Sequence, residues 1–242
     1  MKKNILVTGV AGFIGSNLAD MLLKKNFNVI GIDNLSYGVL EQIPKGVDFY
    51  KKDIRDKDIH KLFNDIECVF HLAAKNSLID CENNPSETVD INVSGTKNIF
   101  DASQKRNVRK VIYAESSAVY EGSQNLPSNE TDAAPQSVYG KSKMATNVIA
   151  NDFLKSYGLV STGLRYFNVY GPKQDYRRTI PPVFSAFIIK LLQKKSPIIY
   201  GDGSKKRDFV YVDDVNNFHL MCIEDPKTNN EVFNIGSGKN YS

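Results

Sequence analysis

The sequence is poor in the residues that build metal sites and disulfide frameworks. Its 242 residues include only three cysteines, Cys68, Cys81 and Cys222, and only three histidines. The cysteines are odd in number and contain no CxxC pair, which favours free thiols in a reducing cytoplasm over a set of disulfides. The histidines show no metal-ligand spacing with one another or with the cysteines. We therefore expect a cytoplasmic protein without a structural metal.

Long apolar runs and blocks of like charge are also missing. No stretch of about 18 apolar residues offers a membrane-spanning helix. Hydrophobic residues at 41% and charged residues at 24% are typical of a globular domain. The net charge of +4 is spread over short lysine pairs, which we interpret as solvated surface. We therefore expect neither a membrane nor a nucleic acid as partner, although a mildly basic cleft would suit an anionic small molecule.

The first two thirds of the chain alternates short apolar runs with helical patterns. Several of the runs are apolar almost throughout, which is typical of parallel strands that are covered on both faces. Strands that alternate with helices in this way predict an α/β fold with a doubly wound parallel sheet. The predicted strands are residues 4–8, 28–32, 47–50, 68–73, 110–116 and 159–166, and the predicted helices are residues 14–25, 56–63, 85–105 and 138–157.

The pattern becomes less regular after Gly171-Pro172. We expect a smaller lobe there, with returns to the main sheet. The chain shows no internal repeat and no low-complexity linker, so the two parts should pack closely. The elements predicted for this part are helices at residues 182–193 and 213–224 and short strands at residues 197–200 and 209–212.

Three glycines mark the end of the first predicted strand. Gly9, Gly12 and Gly15 stand at GxxGxxG spacing directly before the first predicted helix. Glycines there allow a tight turn and the close approach of a pyrophosphate, whose charge the free N–H groups of the helix would bind. An ordinary tight turn would need the same residues. The pattern indicates a Rossmann-type dinucleotide-binding domain over residues 1–170, followed by the smaller lobe over residues 171–242.

A carboxylate follows at the position that distinguishes the two nicotinamide dinucleotides. Asp33 ends the second predicted strand, 18 residues after Gly15. There it could accept hydrogen bonds from the adenosine ribose, and its charge would repel a 2′-phosphate. No arginine follows at Asn34 or Leu35 to reverse this preference. We therefore expect NAD rather than NADP as the cofactor.

Eight further motifs follow in a set order. With the glycine motif, they resemble the extended short-chain dehydrogenase/reductase family, and within it the NAD-dependent nucleotide-sugar epimerases of the UDP-glucose/UDP-N-acetylglucosamine 4-epimerase type. The resemblance covers essentially the whole chain. The motifs are DNLSYG at 33–38, KDIRD at 52–56, HLAA at 71–74, ESSAVY at 115–120, YGKSK at 139–143, RYFNVYGP at 165–172 and YGDGSKKRDFVYVDDV at 200–215, and FNIGSG at 233–238 follows them.

The resemblance also gives a meaning to Tyr139 and Lys143. They lie four residues apart, and this composition produces about one such pair by chance, so the spacing alone is uninformative. The resemblance implies that both are catalytic and that Ser116 completes a triad. Ser116 could instead cap a strand–loop junction, and Ser117 beside it could partly substitute. In the implied reaction the Tyr139 phenolate takes a proton from the sugar C4 hydroxyl, while Lys143 lowers the pKa of the tyrosine and binds the nicotinamide ribose.

The resemblance implies further binding residues. Asp53 and Ile54 would lie beside the adenine, Ala73 and Ala74 along the phosphates, and Asn92 near the nicotinamide. Asn168 and Arg207 would bind the diphosphate of the substrate, with an ordinary surface role as the less favoured alternative for Arg207. The implied cofactor-binding set is Gly9, Gly12, Phe13, Ile14, Gly15, Asp33, Asn34, Asp53, Ile54, Ala73, Ala74, Asn92, Tyr139 and Lys143, and the implied substrate-binding set is Ser116, Ser117, Tyr139, Asn168 and Arg207.

The implied activity is epimerisation at C4 of a UDP-hexose through a transient 4-keto sugar, in a homodimer that pairs the helices at 85–105 and 138–157. Three different activities compete with it. The first is the activity of a dTDP-glucose 4,6-dehydratase-like enzyme. Such an enzyme needs an additional acid and base, and relatives of that kind carry Asp-Glu where this chain has Ser117-Ala118. The second is that of a UDP-glucuronate decarboxylase, and the third is that of a non-catalytic NAD-binding sensor.

The length of the chain departs from the family pattern. It stops at Ser242, shortly after FNIGSG, where family members usually continue for several dozen residues. We therefore expect a truncated substrate lobe. The residue that governs admission of an N-acetyl group at C2 usually lies in that missing segment, so the sequence leaves UDP-glucose and UDP-N-acetylglucosamine undistinguished.

Overall fold

The computed structural model describes residues 2–178 and 180–242. At its centre lies a sheet of seven strands in the order β3-β2-β1-β4-β5-β6-β9, and every neighbouring pair is parallel. The strand order reverses between β1 and β4, as in the Rossmann fold, so the predicted fold class is confirmed. The strands are β1 (Asn4–Thr8), β2 (Asn28–Asp33), β3 (Val47–Lys51), β4 (Ile66–His71), β5 (Lys110–Ser116), β6 (Val160–Tyr166) and β9 (Val232–Ile235).

The central strand β1 shows why these runs are apolar throughout. Successive residues of a strand point to opposite faces of the sheet. Ile5 and Val7 are buried in the core on one face, whereas Leu6 is buried in the core on the other. Helices cover both faces of the sheet, so the middle residues of the strand, Ile5 to Val7, are apolar on both faces.

Helices lie on each face of the sheet. On one face α1 (Phe13–Lys24) packs beside α7 (Val212–Glu224), and on the other α4 (Thr96–Lys105) packs beside α5 (Val138–Tyr157). The single helix predicted over residues 85–105 is divided in the structure. It consists of α3 (Pro85–Val89), a π-helical segment (Asp90–Gly95) and α4, and a short α2 (Leu78–Asn83) precedes it.

The predicted helix over residues 56–63 is reduced to a 3₁₀ turn at Ile59–Phe63. Acidic side chains hold local turns before it and compete with helix formation. The carboxylate of Asp56 accepts the backbone N–H of Asp53, and that of Asp58 accepts the Lys52 ammonium. The helix prediction was therefore wrong in type, although the turn does bury Ile59 and Phe63.

A small lobe lies outside the main sheet. It consists of α6 (Val183–Leu192) and a two-stranded parallel sheet of β7 (Asn168–Tyr170) and β8 (Phe209–Tyr211). The chain then returns to the main layers, because α7 packs on α1 and β9 pairs with β6. The lobe thus begins at β7, just before residue 171, and the last elements of the chain belong to the Rossmann layers.

The strand predicted at residues 197–200 does not form. An apolar run becomes a strand when a neighbouring strand pairs its backbone, and none of the described residues does so here. Ile198, Ile199 and Tyr200 are instead 53%, 64% and 78% exposed.

Membrane-spanning helices and metal clusters are both absent from the described residues. None of their helices is both long and apolar enough to cross a membrane. Residues 2–178 and 180–242 also contain no group of three or more histidine, cysteine, aspartate or glutamate side chains that could hold a metal ion.

Candidate active site

A cavity of about 1560 Å³ opens at the carboxyl ends of the strands, where ligands of such sheets bind. The structure brings the predicted site residues together there, with Asn92 as the exception. Those that line the cavity are Gly9, Gly12, Phe13, Ile14, Gly15, Asp33, Asn34, Asp53, Ile54, Ala73, Ala74, Ser116, Ser117, Tyr139, Lys143, Asn168 and Arg207.

The glycine loop has the geometry of a pyrophosphate cradle. Gly9 has φ of +73°, and a Cβ there would lie 2.9 Å from the backbone N of Ala73. A Cβ on Gly15 would lie 2.1 Å from the carbonyl oxygen of Gly9, so only glycine allows this approach. No side chain caps the first turn of α1, and that turn carries no acidic residue. Its N–H groups are therefore available to an anion.

Asp33 is held in place at the end of β2. Its two carboxylate oxygens accept the backbone N–H groups of Ala11 and Leu35, at 3.0 and 2.8 Å. Each oxygen keeps a free lone pair, so the carboxylate can still accept ribose hydroxyls. Burial raises the pKa of Asp33, and the two N–H groups oppose this. A Cβ on Gly38 would lie 2.9 Å from this carboxylate, which explains a glycine beside it.

Asp53 closes the same end of the cavity. It accepts the amide of Asn34 at 2.8 Å and pairs with the Arg55 guanidinium, which holds the pKa of Asp53 well below its usual range. Ile54, next in the chain, is buried against the π-helical segment, where a Cβ on Gly95 would lie 2.5 Å from its side chain. The arrangement presents an apolar side chain and a fixed carboxylate, which suits an adenine ring.

The predicted triad lies at the end of β5 and in the first part of α5. Ser116 ends β5, and its side-chain oxygen accepts the N–H of Ala118 in the 3₁₀ turn at Ser117–Tyr120. Helix α5 begins beside that turn, since a Cβ on Gly140 would lie 2.8 Å from the carbonyl oxygen of Ala118. Tyr139 lies in the first turn of α5, and the buried Lys143 ammonium donates to the Ala114 carbonyl at 3.0 Å.

The pKa of Tyr139 is determined mainly by burial. Burial raises it to about 12, and the facing side chain of Ser116 opposes this increase. Burial lowers the pKa of Lys143 to about 8, against the attraction of Glu115. In the protein alone, desolvation favours the neutral form of both side chains, so the lowering of the tyrosine pKa by Lys143 and the nicotinamide charge stays a prediction for the cofactor-bound enzyme.

Asn92 lies behind the cavity wall. It is buried in the π-helical segment, where its amide oxygen accepts the Lys75 N–H at 2.8 Å. Its amide nitrogen donates to the Lys75 carbonyl and to the Ser142 hydroxyl, both at 2.9 Å. Asn92 therefore supports the residues that line the cavity without lining it itself, and its placement near the nicotinamide stays a prediction.

Asn168 and Arg207 lie at the far end of the cavity, on the small lobe. The Asn168 amide donates to the carbonyl of Asp208 at 3.0 Å, which links β7 to the start of β8. Arg207 is exposed on the cavity rim, and its backbone pairs with that of Tyr241. An exposed guanidinium here suits a diphosphate, so both residues remain predicted substrate contacts.

The sequence analysis missed two arginines of this cavity. Arg177 donates to the Tyr37 carbonyl at 2.8 Å, and Arg178 donates to the side chain of Asn76 at 2.7 Å. Both also pair with Asp175. The positive charge of Arg178 lowers the pKa of Tyr139, although less than burial raises it. Their position in the sequence could have indicated a place in the cavity, because they follow Gly171-Pro172 by a few residues, where the chain leaves β7 at the cavity edge.

Comparison with known proteins agrees with this geometry. The NAD dependent epimerase/dehydratase family matches residues 5–236. The chain belongs to this family. Its cofactor is therefore NAD, as the glycine cradle and the Asp33 carboxylate indicate, and its fold is that of the extended short-chain dehydrogenases/reductases.

Three known proteins are similar to this chain in sequence or in structure. A putative UDP-glucose 4-epimerase of Methanocaldococcus jannaschii is 42% identical over 98% of this chain and 78% of its own. The UDP-glucose 4-epimerase of Thermotoga maritima with UDP-glucose is 38% identical, with a TM-score of 0.94 over 98% of this chain and 78% of that chain. The UDP-N-acetylglucosamine 4-epimerase of Methanobrevibacter ruminantium in complex with UDP-N-acetylmuramic acid is 37% identical, with a TM-score of 0.94 over 100% of this chain and 79% of that chain. A decarboxylase and a dehydratase of nucleotide sugars are also among the matches, so the family supports a nucleotide-sugar enzyme.

Proposed function

We propose that the protein is an NAD-dependent 4-epimerase of a UDP-hexose. The observation that carries this proposal is the placement of Tyr139, Ser116 and Lys143 on one wall of a cavity that also contains the dinucleotide cradle. The cradle and the Asp33 carboxylate would hold NAD, which supplies a reversible hydride acceptor when bound. The cavity extends to Asn168 and Arg207, which leaves space for a second nucleotide.

Each member of the triad has a task that its surroundings support. Tyr139 would remove the proton of the C4 hydroxyl and later return it, which requires the phenolate. Lys143 would supply positive charge and bind the nicotinamide ribose, while Ser116 would donate to the same sugar oxygen. The buried position of Lys143 keeps water from the ammonium, which strengthens its effect on neighbouring charge.

The residues that directly follow Ser116 favour epimerisation over dehydration. Elimination of water across C5 and C6 needs an additional acid and base beside the triad. The cavity wall carries Ser117 and Ala118 at this point, neither of which can act in that way at neutral pH. Decarboxylation needs little more than the 4-keto sugar, so it is a separate outcome of the test below.

Product analysis with three substrates tests the proposal. The protein is incubated separately with UDP-glucose, UDP-N-acetylglucosamine and UDP-glucuronate in the presence of NAD, and the sugars are resolved by chromatography. We expect the C4 epimer of at least one substrate and no net NADH. Formation of UDP-xylose from UDP-glucuronate would identify a decarboxylase instead. Binding of NAD without turnover of any of the three would favour the non-catalytic sensor.

A further inference from the structure

A buried chain of side-chain hydrogen bonds crosses the protein behind the cavity. It begins at Thr8, the last residue of β1, whose hydroxyl lies 2.8 Å from Nδ1 of His71. Nε2 of His71 lies 2.9 Å from the hydroxyl of Thr96, and that hydroxyl lies 2.6 Å from the carbonyl oxygen of Asn92. All four residues are at most 3% exposed. The catalytic proposal assigns no role to His71 or Thr96.

The hydrogen bonds of this chain can run in one direction only. The Thr8 hydroxyl oxygen already accepts the backbone N–H groups of Leu72 and Ala73, each at 3.2 Å, so both of its lone pairs are used. Its proton must therefore be donated to Nδ1 of His71. In a neutral imidazole the other nitrogen then carries the hydrogen, so Nε2–H donates to Thr96, and the Thr96 hydroxyl donates to the Asn92 carbonyl.

The neutral state of His71 agrees with its surroundings. Burial, assisted by the positive charge of Lys143, lowers the pKa of His71 to about 3. The imidazole therefore stays neutral throughout the working range of an enzyme. The histidine cannot supply or take protons, but it can fix the positions of two hydroxyl groups.

The chain continues from Asn92 to the triad. The Asn92 side chain binds both backbone groups of Lys75 and donates to the Ser142 hydroxyl at 2.9 Å. Ser142 in turn donates to the carbonyl oxygen of Tyr139 at 2.7 Å. The same set of bonds thus holds the loop after β4, the π-helical segment and the first turn of α5. A change of about one ångström in such a distance can strongly slow a reaction.

We propose that His71 and Thr96 are positioning residues, which hold the first turn of α5, with Tyr139 and Lys143, at a fixed distance from the glycine loop and Ala73. This inference rests on the proposed function. Neither residue lines the cavity. Their effect passes through the Asn92 carbonyl and side chain to Ser142, and through Thr8 to the backbone that faces Gly9.

Replacement of Thr96 tests this role with a matched set of variants. Thr96→Val keeps the shape of the side chain but can neither accept from His71 nor donate to Asn92. Thr96→Ser keeps the hydroxyl and should behave as wild type. Ser103→Ala is the control, because Ser103 is equally buried in α4 and also donates to a carbonyl four residues earlier, that of Ile99.

For Thr96→Val we expect kcat to fall about 10-fold and NAD affinity about 5-fold, with the sugar-nucleotide KM unchanged, because placement of the triad rather than substrate binding is disturbed. Thr96→Ser and Ser103→Ala should stay within about twofold of wild type in all three constants. The double variant Thr96→Val/Ser142→Ala should lose less than the product of the single losses, because both changes act through Asn92.

The opposite result is equally clear. If Thr96→Val lowered thermal stability as Ser103→Ala does while kcat and NAD affinity stayed at wild-type values, the role would be merely structural and the proposal overturned. If wild type bound NAD but converted no UDP-sugar, the proposed function would fail, and the NAD affinities of the variants would then test the positioning role. A loss of NAD affinity in Thr96→Val that is absent from Thr96→Ser and Ser103→Ala would still support the positioning role. Equal NAD affinities in all three variants would reject it.

Discussion

At the scale of single residues, burial shifts the pKa values of Tyr139 and Lys143 in directions that oppose the proposed reaction. It raises the pKa of Tyr139 to about 12 and lowers that of Lys143 to about 8. The reaction needs the reverse, a tyrosinate and an ammonium. Around neutral pH the ammonium is still protonated, and its charge, that of Arg178 and that of the bound cofactor favour the tyrosinate. The base is therefore expected to form only in the loaded enzyme.

Replacement of the base should separate chemistry from cofactor binding. Tyr139→Phe removes the proton acceptor with almost no change of shape, so we expect turnover to fall roughly 10²–10⁴-fold while NAD affinity stays near wild type. Tyr157→Phe is the matched control, since Tyr157 ends the same helix and is 59% exposed. Steady-state assays with NAD titration measure both quantities. Near wild-type epimerisation by Tyr139→Phe would mean that the base lies elsewhere.

The lowered pKa of Lys143 predicts a pH dependence of cofactor binding. The ammonium is present below about pH 8 and is lost above it, so NAD affinity should be level below that value and decrease above it. The contribution of Lys143 to the free energy of unfolding should instead increase with pH. Between about 8 and the ordinary lysine value of 10.5 the unfolded chain binds more protons than the folded one, so this group's contribution to stability increases with pH.

Isothermal titration of NAD across this pH range measures the effect, with Lys143→Arg as the control that keeps its charge. The arginine variant should bind NAD more weakly overall but show no decrease near pH 8. A wild-type affinity that stays level through that region would show that Lys143 does not bind the cofactor through its ammonium.

At the scale of the elements, the start of α1 is decided by a close approach of two backbones. Gly15 in its first turn lies against the carbonyl of Gly9, and no side chain caps the helix. The loop and the helix therefore form one rigid unit whose free N–H groups point into the cavity. A methyl group at Gly15 therefore has no space in this unit.

The contrast between two glycines tests that statement. Gly15→Ala would place a Cβ 2.1 Å from a backbone oxygen, so we expect marked destabilisation and a loss of NAD binding. Gly158→Ala is the comparison. Gly158 ends α5 with φ of +69° and a Cβ there would meet nothing within 4 Å, so its replacement should cost about 1 kcal/mol through backbone conformation and leave NAD binding intact. Thermal melts with and without NAD give both readouts, and an NAD-stabilised Gly15→Ala protein would contradict the cradle.

At the scale of the whole molecule, the helical face opposite α1 and α7 carries exposed apolar side chains. Ile79 of α2, Val89 of α3 and Val148 of α5 are 50%, 49% and 61% exposed. Aliphatic side chains left in water on neighbouring helices suit a helix-to-helix interface between two copies. We expect the chain to form a homodimer through this face.

Sedimentation velocity tests the dimer directly. Wild type should sediment as a dimer at micromolar concentration, whereas Val148→Glu should sediment as a monomer because it would bury a charge at the interface. Met221→Glu is the control, since Met221 is 54% exposed on α7, on the other side of the sheet. A wild-type monomer at every concentration, or a dimer in Val148→Glu, would reject this interface.

The sequence by itself determined the layers, the cofactor and most of the cavity residues. Unbroken apolar runs can be satisfied only by strands covered on both faces, and residues that directly follow parallel strands must meet at one edge of the sheet. Gly9 and Asp33 could therefore be placed from their positions at strand ends, whereas Ser116 and Asn168 were placed through the family resemblance.

The tertiary structure decided what depends on partners distant in the chain. Residues 197–200 form no strand because none of the described residues pairs with them. The backbone at Asn92 is π-helical, and the Asn92 side chain is bound to Lys75 and Ser142, contacts that no local pattern reports. The direction of the hydrogen bonds through His71 depends on Thr8 and Thr96, which are 63 and 25 positions away, and on the N–H groups of Leu72 and Ala73 that occupy the Thr8 hydroxyl. Burial, which no local pattern reports, then set the pKa values of Tyr139 and Lys143, because desolvation is a property of the assembled protein.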